Sequence, residues 1–169
     1  DKNGFDGCGH GCNWLCRNGV MADPEVLISG VVLNQPLGGV LRHNAELLPR
    51  VAALLESAGG GLSVMEGSKP VGFPLPDSVR RLPTWVPANP RLLRVVSEGV
   101  GLRNLLGQSS RRFDLVHFAH LPVPRRLPLP FTLTLHDLRS FELAGVPTAA
   151  RLVAKELHRS AIKRASLVV

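Results

Sequence analysis

The sequence has few aromatic residues and no apolar run long enough to cross a membrane. Aromatic residues make up 5% of the 169 residues, and tyrosine is absent. No apolar stretch reaches the roughly 18 residues that a membrane span needs. The start of the chain is polar and glycine-rich and lacks the apolar core of a signal peptide, so we expect a cytoplasmic location.

Acidic residues are too few to balance the basic ones, and the net charge is +7. This excess suggests an anionic partner, which could be nucleic acid, a phospholipid surface or a phosphorylated substrate. The arginines are scattered, zinc-finger and basic-zipper spacings are absent, and aromatic side chains that could stack on bases are scarce. A basic nucleic-acid-binding module stays open as a hypothesis, but we expect no nucleic-acid partner.

Cysteine occurs only near the start, in the stretch CGHGCNWLC. Cys8, His10, Cys12 and Cys16 could in principle bind zinc. Structural zinc sites usually pair two short ligand motifs across a longer loop, whereas these four residues fall within nine positions. We therefore expect no metal site here.

Both ends of the chain predict a fragment of a longer protein. Met21 is the first methionine and directly precedes a strand-like run, which suggests that residues 1–20 lie upstream of the native start. The final stretch, RASLVV, looks like the opening of a strand. We expect residues 1–24 to be a poorly structured leader and residues 25–169 to form one domain, which a 44% apolar composition allows to bury a core.

Apolar runs of strand length alternate with helical patterns along that domain. The first helical pattern has an apolar stripe, ends at a pair of glycines and contains Pro49, which predicts a bend. The predicted strands span 26–33, 61–66, 113–118, 131–135 and 166–169, and the predicted helices span 40–60, 91–106 and 148–165. This alternation predicts an α/β fold, a Rossmann-like parallel sheet with flanking helices.

Polar residues follow three of the predicted strands. The loop 34–39 follows the first strand, His117 and His120 close the third, and His136 with Asp137 closes the fourth. Ligands of such sheets bind beyond the carboxyl ends of the strands, so these residues should meet at one edge. His136 and Asp137 could position a substrate hydroxyl or move a proton, or they could be a packed polar residue and a helix cap.

The stretch PLGGV, between the first strand and the first helix, is a plausible phosphate cradle. Glycines at 38 and 39 would let the backbone approach an anion, and the helix start offers free N–H groups. The stretch is neither GxGxxG nor a P-loop, and a tight turn between strand and helix explains it equally well. A nucleophile elbow and a second acid for glycoside hydrolysis are both absent.

The order of these motifs resembles the N-terminal half of a GT-B glycosyltransferase. Five features, taken together, are similar to the large retaining family of bacterial mannosyl- and glucosyltransferases. They are the first strand, the GGV that opens a helix with RHNAELL, the stretch FDLVHFAH, the stretch TLTLHDL and the basic helix before RASLVV. The resemblance covers residues 25–169. It implies transfer of a sugar from a nucleotide-sugar donor to a glycan or lipid-linked acceptor, in polysaccharide or glycolipid assembly, with no resident cofactor and no metal.

The resemblance also implies roles for individual residues. Gly38 and Gly39 would approach the donor diphosphate, and His136, with Asp137, would lie at the reacting centre. The acceptor would contact the residues Arg42, His43 and His120. Basic side chains, among them Arg42, Arg50, Arg125 and Arg126, would favour peripheral contact with the anionic inner face of the membrane.

This chain departs from the family in one large respect. The paired glutamates and the diphosphate-binding basic residues of the family's C-terminal donor domain have no counterpart here. We therefore expect the 169-residue chain alone to be inactive. The alternative is a non-enzymatic α/β domain that binds a phosphorylated ligand, and the downstream coding sequence would discriminate between the two.

Overall fold

The protein contains a parallel β-sheet flanked by helices. The structure, a computed structural model, describes residues 23–36, 38–109, 112–136 and 148–169. The strands are β1 (Glu25–Ser29), β2 (Gly61–Glu66), β3 (Arg80–Pro83), β4 (Leu115–Phe118), β5 (Phe131–Leu133) and β6 (Leu167–Val168), and the helices are α1 (Gly39–Ser57), α2 (Arg91–Gln108) and α3 (Thr148–Arg164). Residues 1–22 of the predicted leader, and Asp137, lie outside the described residues.

Within that part of the chain the sheet has six strands, all parallel, in the order β3-β2-β1-β4-β5-β6. The predicted α/β, Rossmann-like fold is thereby confirmed. The order reverses between β1 and β4, where the chain leaves one half of the sheet for the other. In doubly wound sheets, a crevice opens at this reversal, outside the carboxyl ends of the strands.

Side chains of the central strands alternate between two apolar clusters, one on each face of the sheet. Leu27 and Met65 belong to one cluster, which includes Leu102 of α2 and Ala161 of α3. The next residue along β1, Ile28, belongs to the other cluster, which is covered by Leu48 and Ala52 of α1. Strands covered on both faces become continuous apolar runs, which is why the sequence pattern revealed them.

The first strand is shorter than the sequence predicted. β1 ends at Ser29, and residues 31–34 form turns in which Leu33 N donates to Gly30 O and Gln35 N donates to Val32 O. Val31, Val32 and Leu33 are nonetheless at most 1% exposed. The apolar run therefore continued past the strand because the turn itself is buried.

The first helix follows the predicted pattern. Leu48 and Ala52 are buried, and Arg42 and Glu46 are exposed. Pro49 lies inside the helix, and the bend predicted there stays a prediction. Gly59 ends the helix with a φ of 79°, a conformation that glycine adopts without steric cost.

The second helix buries its polar side. Arg94, Ser97, Glu98 and Gly101 face the protein, whereas Leu92, Val96 and Val100 are exposed, the first at 73%. Long charged side chains are rarely buried unless they are paired. None of the helices in the described ranges is long and apolar enough to cross a membrane.

Candidate functional site

A crevice of about 240 Å³ lies at the carboxyl edge of the sheet, where the strand order reverses. It is bordered by the start of α1, the start of α2, the segments after β4 and β5, and α3. Its polar and titratable lining residues are Arg91, Arg94, His120, Thr134, His136 and His158. The predicted convergence of the strand ends on one edge is therefore seen in the described residues.

The glycine turn lies beside this crevice. Gly38 has a φ of 46°, and α1 begins directly after it without a side-chain cap. A Cβ built on Gly38 or Gly39 meets no atom within 4 Å, so the backbone is open on this side. Val40, the next residue, lines the crevice. An open helix start at this position can accept an anion, as the sequence pattern suggested.

Two of the predicted site histidines contact each other at the crevice mouth. The rings of His43 and His136 are edge to face, with centroids 4.9 Å apart. Both residues are exposed. Partial burial, and then the nearby charge of His43, lower the pKa of His136, so its imidazole is neutral at pH 7.

The third predicted histidine is held by a buried carboxylate. Nε2 of His120 lies 3.5 Å from Oε2 of Glu98, and the hydroxyl of Ser29 donates to the other oxygen of Glu98. Glu98 is fully buried, and the side chain of His120 is 8% exposed. Nδ1 of His120 has no hydrogen-bond partner. The carboxylate thus fixes the ring orientation and leaves the second nitrogen uncommitted.

Arg42 lies apart from these residues. Its side chain is 85% exposed, and its Nε lies 3.4 Å from Oε1 of Glu46, one helical turn further along α1. It does not line the crevice. Asp137, the remaining predicted site residue, is outside the described residues.

His117 has a structural environment. Its Nδ1 lies 2.9 Å from the hydroxyl of Thr132, and its Nε2 lies 3.3 Å from the hydroxyl of Thr134. Burial, and then the charges of His120, His136 and His43, lower the pKa of His117 to about 4. The neutral imidazole of His117 therefore links β4 to the chain at β5, and both of its nitrogens have a hydroxyl partner. Neither nitrogen is left to take part in a reaction.

Sequence reasoning missed the two arginines at the start of α2. Arg91 and Arg94 line the crevice, and Arg94 is only 6% exposed. One Nη of Arg94 donates to the carbonyl of Leu121 at 3.2 Å, while Nε has no partner. The available signal was the pair Arg94 and Glu98, four residues apart on one helix face, but the sequence does not say which face is buried.

The described residues contain no group of three or more histidine, cysteine, aspartate or glutamate side chains that could hold a metal ion. Cys8, His10, Cys12 and Cys16 lie outside that part of the chain. No protein-family model matches the sequence, and no curated protein is significantly similar to it. The functional argument therefore depends on the crevice and the residues around it.

Proposed function

We propose that this chain is the acceptor-side domain of a GT-B glycosyltransferase, which moves a sugar from a nucleotide-sugar donor to a glycan or lipid-linked acceptor. One observation carries the proposal. His120, next to the buried Glu98, and His136 line a single crevice at the strand-order reversal. His43 contacts His136, and the open glycine turn directly precedes Val40, which also lines the crevice. This is where a Rossmann-like domain binds its ligand.

The proposed chemistry uses the residues in distinct roles. The leaving diphosphate develops negative charge as the glycosidic bond breaks, and free backbone N–H groups after Gly38 would stabilise that charge. His136 would contact the donor sugar. Because its imidazole is neutral, it can donate one hydrogen bond and accept another from sugar hydroxyls. His120 would meet the acceptor, and the nucleotide sugar is a substrate, not a resident cofactor.

A second candidate is supported by the charge of the crevice. Every titratable residue in its described lining is an arginine or a histidine. A non-enzymatic domain that binds a phosphorylated ligand would need this charge but none of the transfer chemistry. The two candidates differ in whether a bond is broken, so an assay of product release separates them.

The test uses the polypeptide encoded by the whole reading frame that contains this chain. It is incubated with a panel of nucleotide sugars and acceptors, and release of nucleoside diphosphate is measured. His136→Ala should lower the rate by roughly 10-fold or more, because its hydrogen bonds with the donor sugar at the reacting centre are lost. Glu56→Ala, an exposed change near the end of α1, should leave the rate within about twofold.

Release that depends on His136 would support the transferase. A folded protein that releases no diphosphate with any donor, or whose release is the same in His136→Ala, would contradict it. If the folded protein releases no diphosphate with any donor, the non-enzymatic binding domain becomes the better interpretation.

The expected membrane contact is part of the same proposal, together with a cytoplasmic location at the inner membrane face. The exposed side of α2 is apolar at Leu92, Val96 and Val100, and the groove beside it is bordered by Arg103, Arg125 and Arg126. Apolar side chains beside arginines are complementary to an anionic lipid surface.

A further inference from the structure

The wall of the crevice formed by α2 carries positive charge that the proposed donor and acceptor roles do not use. Arg91 and Arg94 occupy the first and fourth positions of the helix, and both line the crevice. Glu98 is the one acidic residue of α2, against Arg91 and Arg94. The wall therefore keeps a positive balance even when its histidines are neutral.

The backbone at the same place also favours an anion. α2 is 18 residues long, has no acidic residue in its first turn and has no side-chain cap at its start. Its first N–H groups and the positive end of its dipole therefore remain available. A helix start is a common feature of proteins and does not by itself define a binding site.

Two buried side chains of the crevice also carry polar atoms without a hydrogen-bond partner. Nε of Arg94 and Nδ1 of His120 are both shielded from solvent and have no hydrogen-bond partner. The two side chains are 6% and 8% exposed and line the same crevice. A buried donor without a partner is unfavourable, and an anion at Nε of Arg94 would correct it. When Nε2 of His120 donates to Glu98, Nδ1 of the neutral ring is an acceptor, which suits a protonated oxygen of a phosphoryl group or a sugar hydroxyl beside it.

We propose that Arg91, Arg94 and His120, with the first turn of α2, bind a phosphoryl group carried by the acceptor. The inference rests on the proposed function, because it names the class of acceptor: a sugar phosphate or a phosphate-linked lipid. Arg94 presents a planar fork that can contact two phosphate oxygens, and Arg91 lies at the exposed entrance. This subsite is separate from the glycine turn, which would face the donor diphosphate.

The test is a nuclear magnetic resonance titration of the 169-residue chain, because weak anion binding shifts the signals of the residues involved. The probes are inorganic phosphate and glucose 6-phosphate, at fixed pH and ionic strength, with uridine diphosphate as the donor-side probe. Vesicles containing phosphatidylinositol then distinguish a lipid source of the phosphoryl group from a soluble one. Backbone signals at the start of α2 and the ring signals of His120 should move with phosphate.

Three variants locate the site. Arg91→Gln removes an exposed charge, and Arg94→Lys keeps the charge but removes the fork, so each should weaken phosphate binding by roughly 10-fold or more. Lys155→Gln removes a charge from an exposed position of α3 outside the crevice and should change binding by less than about twofold. If Arg94→Lys does not fold, Arg91→Gln decides, since that residue is on the surface.

Equal loss in all three variants, or no loss in any, would overturn the subsite, because either result means nonspecific attraction to a basic protein. A further variant, Gly39→Val, tests the glycine turn. Phosphate binding that is lost in Gly39→Val and normal in Arg91→Gln would also overturn the subsite, because the anion would then bind at the glycine turn. Phosphate binding at α2 without release of nucleoside diphosphate would support the subsite and contradict the transferase. Release of nucleoside diphosphate without phosphate binding at α2 would support the transferase and contradict the subsite.

Discussion

At the scale of single residues, the histidines of this chain divide by what surrounds them. His117 is enclosed between two threonine hydroxyls, His120 is held by a buried carboxylate, and His136 lies exposed against His43. The same residue type therefore fills a structural position in the sheet and two positions at a site. Only the contacts separate these roles.

The neutral state of His117 predicts a loss of stability in acid. Its pKa is about 4 in the folded protein, against 6.5 for a free histidine. Between these values the unfolded chain binds a proton that the folded chain does not, so the free energy of unfolding falls as the pH drops from 6.5 through 4. The loss is at most about 3 kcal/mol from this residue.

The measurement is urea denaturation at several pH values between 7 and 4, with His117→Gln beside the wild type. The pKa of His136 and that of His158 are also lowered, so other groups add to the slope and only the difference between the two proteins reports His117. The variant should be less stable overall and should lose less on acidification. Identical slopes would show that His117 does not titrate in this way.

Glu98 is a fully buried residue that contacts both Ser29 and His120. Glu98→Gln keeps the shape but replaces one carboxyl oxygen by an amide nitrogen, so one of these two contacts loses its acceptor. We expect the free energy of unfolding to fall by about 1–3 kcal/mol, because a buried polar group is left without its partner. Glu46→Gln, on the exposed side of α1, should change it by less than about 0.5 kcal/mol.

Chemical denaturation of the two variants measures this contrast. Similar losses for the buried and the exposed glutamate would mean that Glu98 is not held as described.

At the scale of the element, α2 is turned opposite to its apparent amphipathicity. A helix usually buries its apolar stripe, and the residues 92, 96 and 100 offer one. The buried side of α2 instead contains Gly101 and Leu102, together with Arg94 and Glu98. Close approach at Gly101 allows this, because a Cβ there would lie 2.6 Å from Cγ2 of Val86.

This close approach predicts a contrast between two glycines of one helix. Gly107→Ala places a methyl group in open space and should stabilise the protein by about 0.5–1 kcal/mol through helix propensity alone. Gly101→Ala receives the same gain but crowds Val86 and Met65, which should cost about 1–3 kcal/mol. Thermal or urea denaturation of the pair measures the difference, and equal stabilities would refute the tight contact.

At the scale of the whole molecule, the net charge of +7 and the outward apolar face of α2 act together. We expect the chain to bind vesicles that contain anionic lipid and to bind neutral vesicles weakly. Replacing both Leu92 and Val96 by serine should reduce sedimentation with anionic vesicles severalfold without unfolding the protein, since these side chains are 73% and 68% exposed.

Leu54→Ser is the matched control, because Leu54 is also 69% exposed but belongs to α1. Equal loss in this control would indicate general hydrophobic adsorption. Self-association that the double variant abolishes, with no vesicle binding by the wild type, would show instead that a second copy of the chain covers the face.

The sequence alone determined the class of fold and the edge at which polar residues gather. Strands covered on both faces must be apolar throughout, and helices must carry a 3.6-residue period, so both are visible in a single chain. Gly38, Gly39, His120 and His136 could be selected because loops after parallel strands share one edge of the sheet.

Tertiary structure decided the end of β1 at Ser29, the burial of Arg94 and Glu98, and the addition of Arg91 and Arg94 to the crevice. These depend on contacts between residues far apart in the chain: Glu98 with Ser29, Arg94 with Leu121, and Gly101 with Val86. Periodicity reports which side of a helix is apolar, but the side that is buried is set by the surface against which the helix packs.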